Sequence, residues 1–167
     1  MTPVRTRYVR AILVAAAAAV AVAVIGALVT ELGPWYQALA KPDWKPPDAA
    51  FGPIWTLIFG LSAIAGVLAW NGAAGGTGRG RILALFAVNA VLNVLWSVLF
   101  FRLHRPDWSL AQVAVLWLSV AALMVGIAPH SRAGPWLLLP YLAWVSIAAY
   151  LNLEIVRLNG PFGLGAQ

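Results

Sequence analysis

A chain of 167 residues with 62% hydrophobic and only 10% charged residues has a mean hydropathy of +0.85. Soluble domains carry about 25% charged residues, so this composition excludes an ordinary water-soluble enzyme and equally a disordered chain. The net charge of +6 comes from eleven Lys and Arg dispersed between long apolar runs. That pattern fits membrane-flanking charge and offers no stripe for nucleic acid, and without cysteine there is no disulfide or thiolate chemistry.

A helix crosses the hydrocarbon with about 20 apolar residues. Five segments meet that length, at about 11–30, 51–70, 82–101, 108–128 and 136–156. The expected fold is an all-α membrane protein, one five-helix transmembrane bundle over residues 1–167, with its termini on opposite sides. The first segment follows Arg5, Arg7 and Arg10 and carries Ala21-Val22-Ala23, as a secretory signal would. Its apolar run exceeds the roughly 7–15 residues of a signal core, so a membrane span is the better reading. Ala11, Ala15, Ala19, Ala23 and Ala27 give this span a smooth face for close helix packing. The cationic residues divide six against five between the two sides, and the positive-inside rule fixes no orientation from that.

The connections differ in character. Residues 31–50 combine Trp35, Tyr36 and Trp44 with Pro34, Pro42, Pro46 and Pro47, a stiff, extended aromatic segment that reads as a lid. Residues 72–81 are glycine-rich without a phosphate-binding motif, and composition reads them as a flexible linker. His104 and His130 fall in loops on opposite sides, too far apart to share a metal or a catalytic site. Glu154, the one carboxylate inside a span, has Arg157 at i+3 for a pair.

Nine tryptophans exceed what an interfacial belt requires. Trp70, Trp108 and Trp136 stand at span ends, whereas Trp55, Trp96, Trp117 and Trp144 lie within spans. Amides within hydrocarbon are costly unless paired. Asn89, Asn93, Trp96 and Phe100 share one face of the third span, and Trp144, Ala148, Leu151 and Asn152 one face of the fifth. Chain direction places Trp55, Asn93, Trp96, Phe100, Trp108 and Asn152 at the end that carries residues 31–50. Two readings stand side by side there: a pocket between helices, or asparagines that only join neighbouring helices.

Three motifs resemble the TspO/MBR family of tryptophan-rich sensory and translocator proteins, also called peripheral-type benzodiazepine receptors. They are Trp35-Tyr36 with Lys41-Pro42-Asp43-Trp44-Lys45-Pro46-Pro47, Phe51 and Pro53-Ile54-Trp55-Thr56; Asn93 to Phe101; and Pro140-Tyr141-Leu142-Ala143-Trp144 with Leu151-Asn152 and Asn159. The resemblance implies a five-helix membrane bundle, often a homodimer, that binds porphyrins such as protoporphyrin IX or heme and needs no cofactor. In many members it also implies binding of sterols or of isoquinoline and benzodiazepine drugs. Its pocket falls on Tyr36, Pro46, Trp55, Phe59, Asn93, Trp96, Trp108, Trp144, Ala148, Leu151 and Asn152. Asn89 stands where many members have Gln, and Phe59 where several have Tyr. The sterol pattern fails, because six residues separate Tyr150 from Arg157 and the pattern permits at most five.

The expected function is therefore tetrapyrrole binding, as sensor, carrier or regulator of porphyrin metabolism. Lys41, Lys45, Arg102 and Arg105 would meet the propionates at the mouth of the pocket. The alternative is an enzyme that degrades porphyrin by photo-oxidation. An ion-coupled transporter is disfavoured, since no inverted repeat or buried charge relay is visible.

Overall fold

The computed structural model describes residues 3–162, with side-chain surroundings from Tyr8 onward. Six α-helices follow in order: α1 (Pro3–Val29), α2 (Pro34–Ala38), α3 (Asp48–Gly72), α4 (Gly76–Ser97), α5 (Pro106–Ile127) and α6 (Gly134–Asn159). A π-helical turn, Val98–Arg102, extends α4. Five of the helices are long and apolar enough to cross a membrane, as the hydropathy pattern predicts, and there is no strand among the described residues. The chain is an integral, multi-pass membrane protein.

The long helices pack as a ring in the order α1, α3, α6, α5, α4 and back to α1. α1 is the outlying member: Ile12, Leu13, Val14, Val20 and Leu28 are exposed, while Ala11, Ala15, Ala19, Ala23 and Gly26 are half-buried. The alanine face thus packs on the bundle as expected. A spacing of four outruns the 3.6-residue turn, and the covered face has drifted to Gly26 by the time Ala27 is exposed. The deeper core joins the other four helices through Ile58, Ile82, Val120, Leu123, Ile127, Leu138 and Val145, each at most 2% exposed.

Two sequence expectations are corrected here. Residues 72–81 are not a flexible linker, because α4 already begins at Gly76 and only Ala73–Gly75 connect it to α3. Gly75, at φ 87°, reverses the chain, and Arg79 donates back to the carbonyls of Trp70 and Ala73 at the end of α3. The glycines answer to close contact: a Cβ on Gly72 would lie 2.0 Å from the His130 carbonyl oxygen, and one on Gly78 3.4 Å from its imidazole. The second correction is in residues 31–50, where α2 forms a helical turn within a segment expected to be extended throughout. Pro34 at its first position supplies the φ angle that a helix start needs.

Candidate functional site: an aromatic cluster beneath a folded-over connection

The connection from α1 to α3 folds across one end of the bundle, and its aromatic residues do the packing. Trp35 meets Phe100 edge-on at 5.9 Å and stacks on His104 at 4.1 Å. Tyr36, buried, tilts against Phe101 at 5.7 Å. Trp44 stacks on Tyr150 of α6 at 5.1 Å. Asn159, at the end of α6, ties the segment down in both directions, accepting from the Ala40 N–H and donating to the Ala40 carbonyl, each at 2.8 Å. The π-helical turn matters to this closure. One extra residue per turn changes the angular step, and Phe100 and Phe101, adjacent in sequence, are both buried.

Electrostatics hold the same segment. The Tyr36 hydroxyl donates to Asp48 at 2.9 Å, and Lys45 pairs with Asp48. Burial first, then the Asp48 carboxylate, push the Tyr36 phenol well above its ordinary value, so it stays a donor. Lys41 donates to the carbonyls of Tyr36, Gln37 and Leu39 at the end of α2 and lies 4.4 Å from the centre of the Tyr36 ring. Burial and the neighbouring Lys45 lower its pKa, against a weaker opposing pull from Asp48. The other cations at this end have carboxylate partners: Arg102 with Glu31 and Arg105 with Asp107.

Beneath the connection lie two adjoining aromatic groups that share Phe51 and Trp96. In one, Trp55 stacks on Phe59 at 5.2 Å and meets Tyr141 edge-on at 5.9 Å, while Phe51 meets Trp144 at 5.4 Å. In the other, Trp96 stacks on Phe100 at 5.2 Å, next to Tyr36, Leu151 and Ile155.

Two polar networks run along the side of these groups. Asn152, 1% exposed, accepts from Trp96 Nε1 at 3.1 Å and donates to the Pro106 carbonyl at 2.9 Å. The Ser109 hydroxyl lies 2.8 Å from its Oδ1, so this one side chain joins α4, α5 and α6. The second network is a relay from Asn93 to the Tyr141 hydroxyl, on to Asn89 and then to Ser119. All three asparagines found by spacing, Asn89, Asn93 and Asn152, therefore do join helices, and they do so at the edge of the aromatic cluster.

Of the eleven residues expected at the site, eight come together: Tyr36, Trp55, Phe59, Asn93, Trp96, Trp144, Leu151 and Asn152. Trp108 does not. It is 51% exposed with the Arg105 guanidinium 4.1 Å from the centre of its ring, the posture of an interfacial anchor. Pro46 offers its carbonyl to Lys45, and Ala148 is half-buried one turn from Trp144. Trp117 also stays aside, its indole donating to Ser146 at 2.9 Å beside an apolar groove of about 510 Å³ between α5 and α6. A smaller cavity of about 220 Å³ lies between Trp35, Tyr36, Glu31 and His104. The spacing argument missed Tyr141 and Gln112, although each is a buried polar residue inside a span. The cost of unpaired amides and hydroxyls in hydrocarbon was the signal available for both. Glu154 and Arg157 pair at 2.7 Å as expected, and among the described residues no three His, Asp or Glu group as metal ligands.

Comparison with known proteins covers most of this architecture. Residues 12–158 match the TspO/MBR family. The chain is 39% identical over 127 residues to the tryptophan-rich protein TspO of Chlorobaculum tepidum, covering 75% of this chain and 79% of that one. It is 38% identical to the tryptophan-rich sensory protein of Cereibacter sphaeroides, over 75% and 77% of the two chains. The human translocator protein is 31% identical over 126 residues, 75% of each chain.

Proposed function

Since the chain belongs to the TspO/MBR family, we propose that it binds tetrapyrroles in the aromatic cluster at the lid end of the bundle, serving as a sensor or carrier of porphyrins. The observation that supports this reading most is the gathering of Trp55, Trp96 and Trp144 from α3, α4 and α6 with Phe51, Phe59 and Phe100 under one folded-over segment. A macrocycle of conjugated carbon gains most from ring faces, and a bundle interior walled by indoles offers them without exposing the ligand to water. In the closed arrangement the rings pack on one another, with centroids 5.2–5.9 Å apart. Entry thus requires them to part, and the segment above them is the part of the wall that is not a membrane span. Lys41, held by carbonyls and not by a carboxylate, is the cation at the mouth best placed to exchange its partners for a propionate. Isoquinoline and benzodiazepine compounds, flat and largely apolar, suit the same walls.

Titration of the protein in detergent with protoporphyrin IX tests the reading. Tryptophan emission should fall saturably, because several indoles border one site. A folded Trp144→Ala, Asn93→Ala double variant should bind at least tenfold more weakly, a loss of about 1.4 kcal/mol. Unchanged affinity in that variant would place the ligand elsewhere.

A further inference from the structure

Charge divides between the two ends of the bundle far less evenly than the count of cations suggests. All five acidic side chains of the sequence, Glu31, Asp43, Asp48, Asp107 and Glu154, belong to the lid end. So do Lys41, Lys45, Arg102, Arg105 and Arg157, and the two sets cancel. Four of these cations stand in ion pairs, Lys45 with Asp48, Arg102 with Glu31, Arg105 with Asp107 and Arg157 with Glu154. The opposite end has Arg5, Arg7, Arg10, Arg79, Arg81 and Arg132, and no acidic residue lies in the segments that compose it. The formal charge of +6 is therefore held entirely at the end away from the lid.

The described cations of that end come from different parts of the ring. Arg10 is on α1, Arg81 near the start of α4 and Arg132 in the turn between α5 and α6, and all three are exposed. None of them has a carboxylate partner among the described residues. Arg79 is spent internally, on the carbonyls of Trp70 and Ala73, with its guanidinium 5.4 Å from the centre of the Trp70 ring. Aromatic residues mark the depth. Tyr8, 47% exposed, precedes Arg10 by two residues, and Trp136, 73% exposed, follows Arg132 by four. Exposed Tyr and Trp at span ends settle at the level of lipid headgroups, and an arginine beside them lays its apolar stem along the helix and its charge among those headgroups. The starts of α1, α4 and α6 lie at this end, and their partial positive charge acts in the same sense.

We propose that the end away from the lid is a docking collar for anionic phospholipids, with Arg10, Arg81 and Arg132 as the residues that meet their phosphates. Charge complementarity selects the occupant, and depth gives its source. The cations stand level with interfacial aromatics around the bundle, where headgroups lie, and not on a surface raised into the water where a soluble polyanion would bind. The lid end, with its cations balanced by carboxylates, has no such preference.

The test reconstitutes the full chain in phosphatidylcholine vesicles and reads, by electron spin resonance, the share of a spin-labelled lipid held motionally restricted at the protein. Spin-labelled phosphatidylglycerol should associate about fivefold more strongly than spin-labelled phosphatidylcholine, the effect of one arginine at an anionic surface. This preference should fall below about twofold at about 1 M salt, where the screening length is about 3 Å. An Arg10→Gln, Arg81→Gln, Arg132→Gln triple variant should likewise bring it below about twofold. Arg81→Gln and Arg132→Gln should each lower it singly, so the test stays decisive if the triple variant does not reconstitute. Glu154→Gln, Arg157→Gln removes an ion pair from the lid end and should leave the preference unchanged. Equal association of the two lipids, a preference indifferent to salt, or one retained when these arginines are replaced would overturn the proposal. So would an equal loss on removing the lid-end pair.

Discussion

The two ends of the bundle close in opposite ways. At one, three residues join α3 to α4, and the chain passes so near itself that glycine is required: Gly72 under the His130 carbonyl and Gly78 under its ring. At the other, residues 30–47 between the first two spans carry side chains inward, and the closure is made by rings and by pairs such as Tyr36 with Asp48 and Asn159 with Ala40. Backbone against backbone has no alternative arrangement at low cost. Rings on rings, with a few polar ties, can part and close again. The difference makes one end rigid and leaves the other as the end through which the proposed ligand would enter.

The comparison breaks first at the rigid end. Gly72→Ala puts a methyl group 2.0 Å from a carbonyl oxygen, which backbone cannot yield cheaply. We expect a loss of about 3 kcal/mol, at the upper end for overpacking, read as a lower thermal midpoint in detergent with the lid contacts untouched. Asn152→Ala should come next, at about 2 kcal/mol. It strands Trp96 Nε1 and removes the tie among α4, α5 and α6, lowering the thermal midpoint and loosening the aromatic cluster. The smallest effect belongs to the lid. Tyr36→Phe deletes one half-exposed tie to Asp48, costs about 1 kcal/mol, and should appear as faster proteolysis after residue 34 with an unchanged midpoint. Because the folded phenol is held above its ordinary value, its contribution is present below about pH 10, the ordinary tyrosine value. It is lost as pH rises from there toward the folded value. Lid proteolysis in the unmodified protein should therefore quicken only in strong alkali.

Hydropathy was enough to find the five spans, and two depth-matched faces led to Asn93, Trp96, Trp144 and Asn152. What periodicity could not supply was the orientation of α5. Its buried positions, including Ser109, Gln112, Val113, Leu116 and Val120, alternate with lipid-facing residues that are just as apolar. A membrane helix shows little contrast between the face toward its neighbours and the face toward lipid. Depth accordingly put Trp108 at the end that carries residues 31–50 without giving it a face, and the structure turns it outward; Gln112, one turn along, was overlooked. The glycines of 72–81 failed for another reason. Composition cannot separate a glycine that permits motion from one that permits contact, and here the partner is His130, more than fifty positions away in sequence.

The central claim is that the α1–α3 connection is a lid over a ligand-binding aromatic cluster, and amide hydrogen exchange across residues 35–50 tests it most directly. With saturating protoporphyrin IX, exchange over this segment should slow at least severalfold, because a ligand beneath the rings binds the closed state preferentially, while residues 73–75 should be unaffected. Identical exchange over 35–50 with and without ligand would contradict the account and leave Trp35, Tyr36 and Trp44 as interfacial anchors.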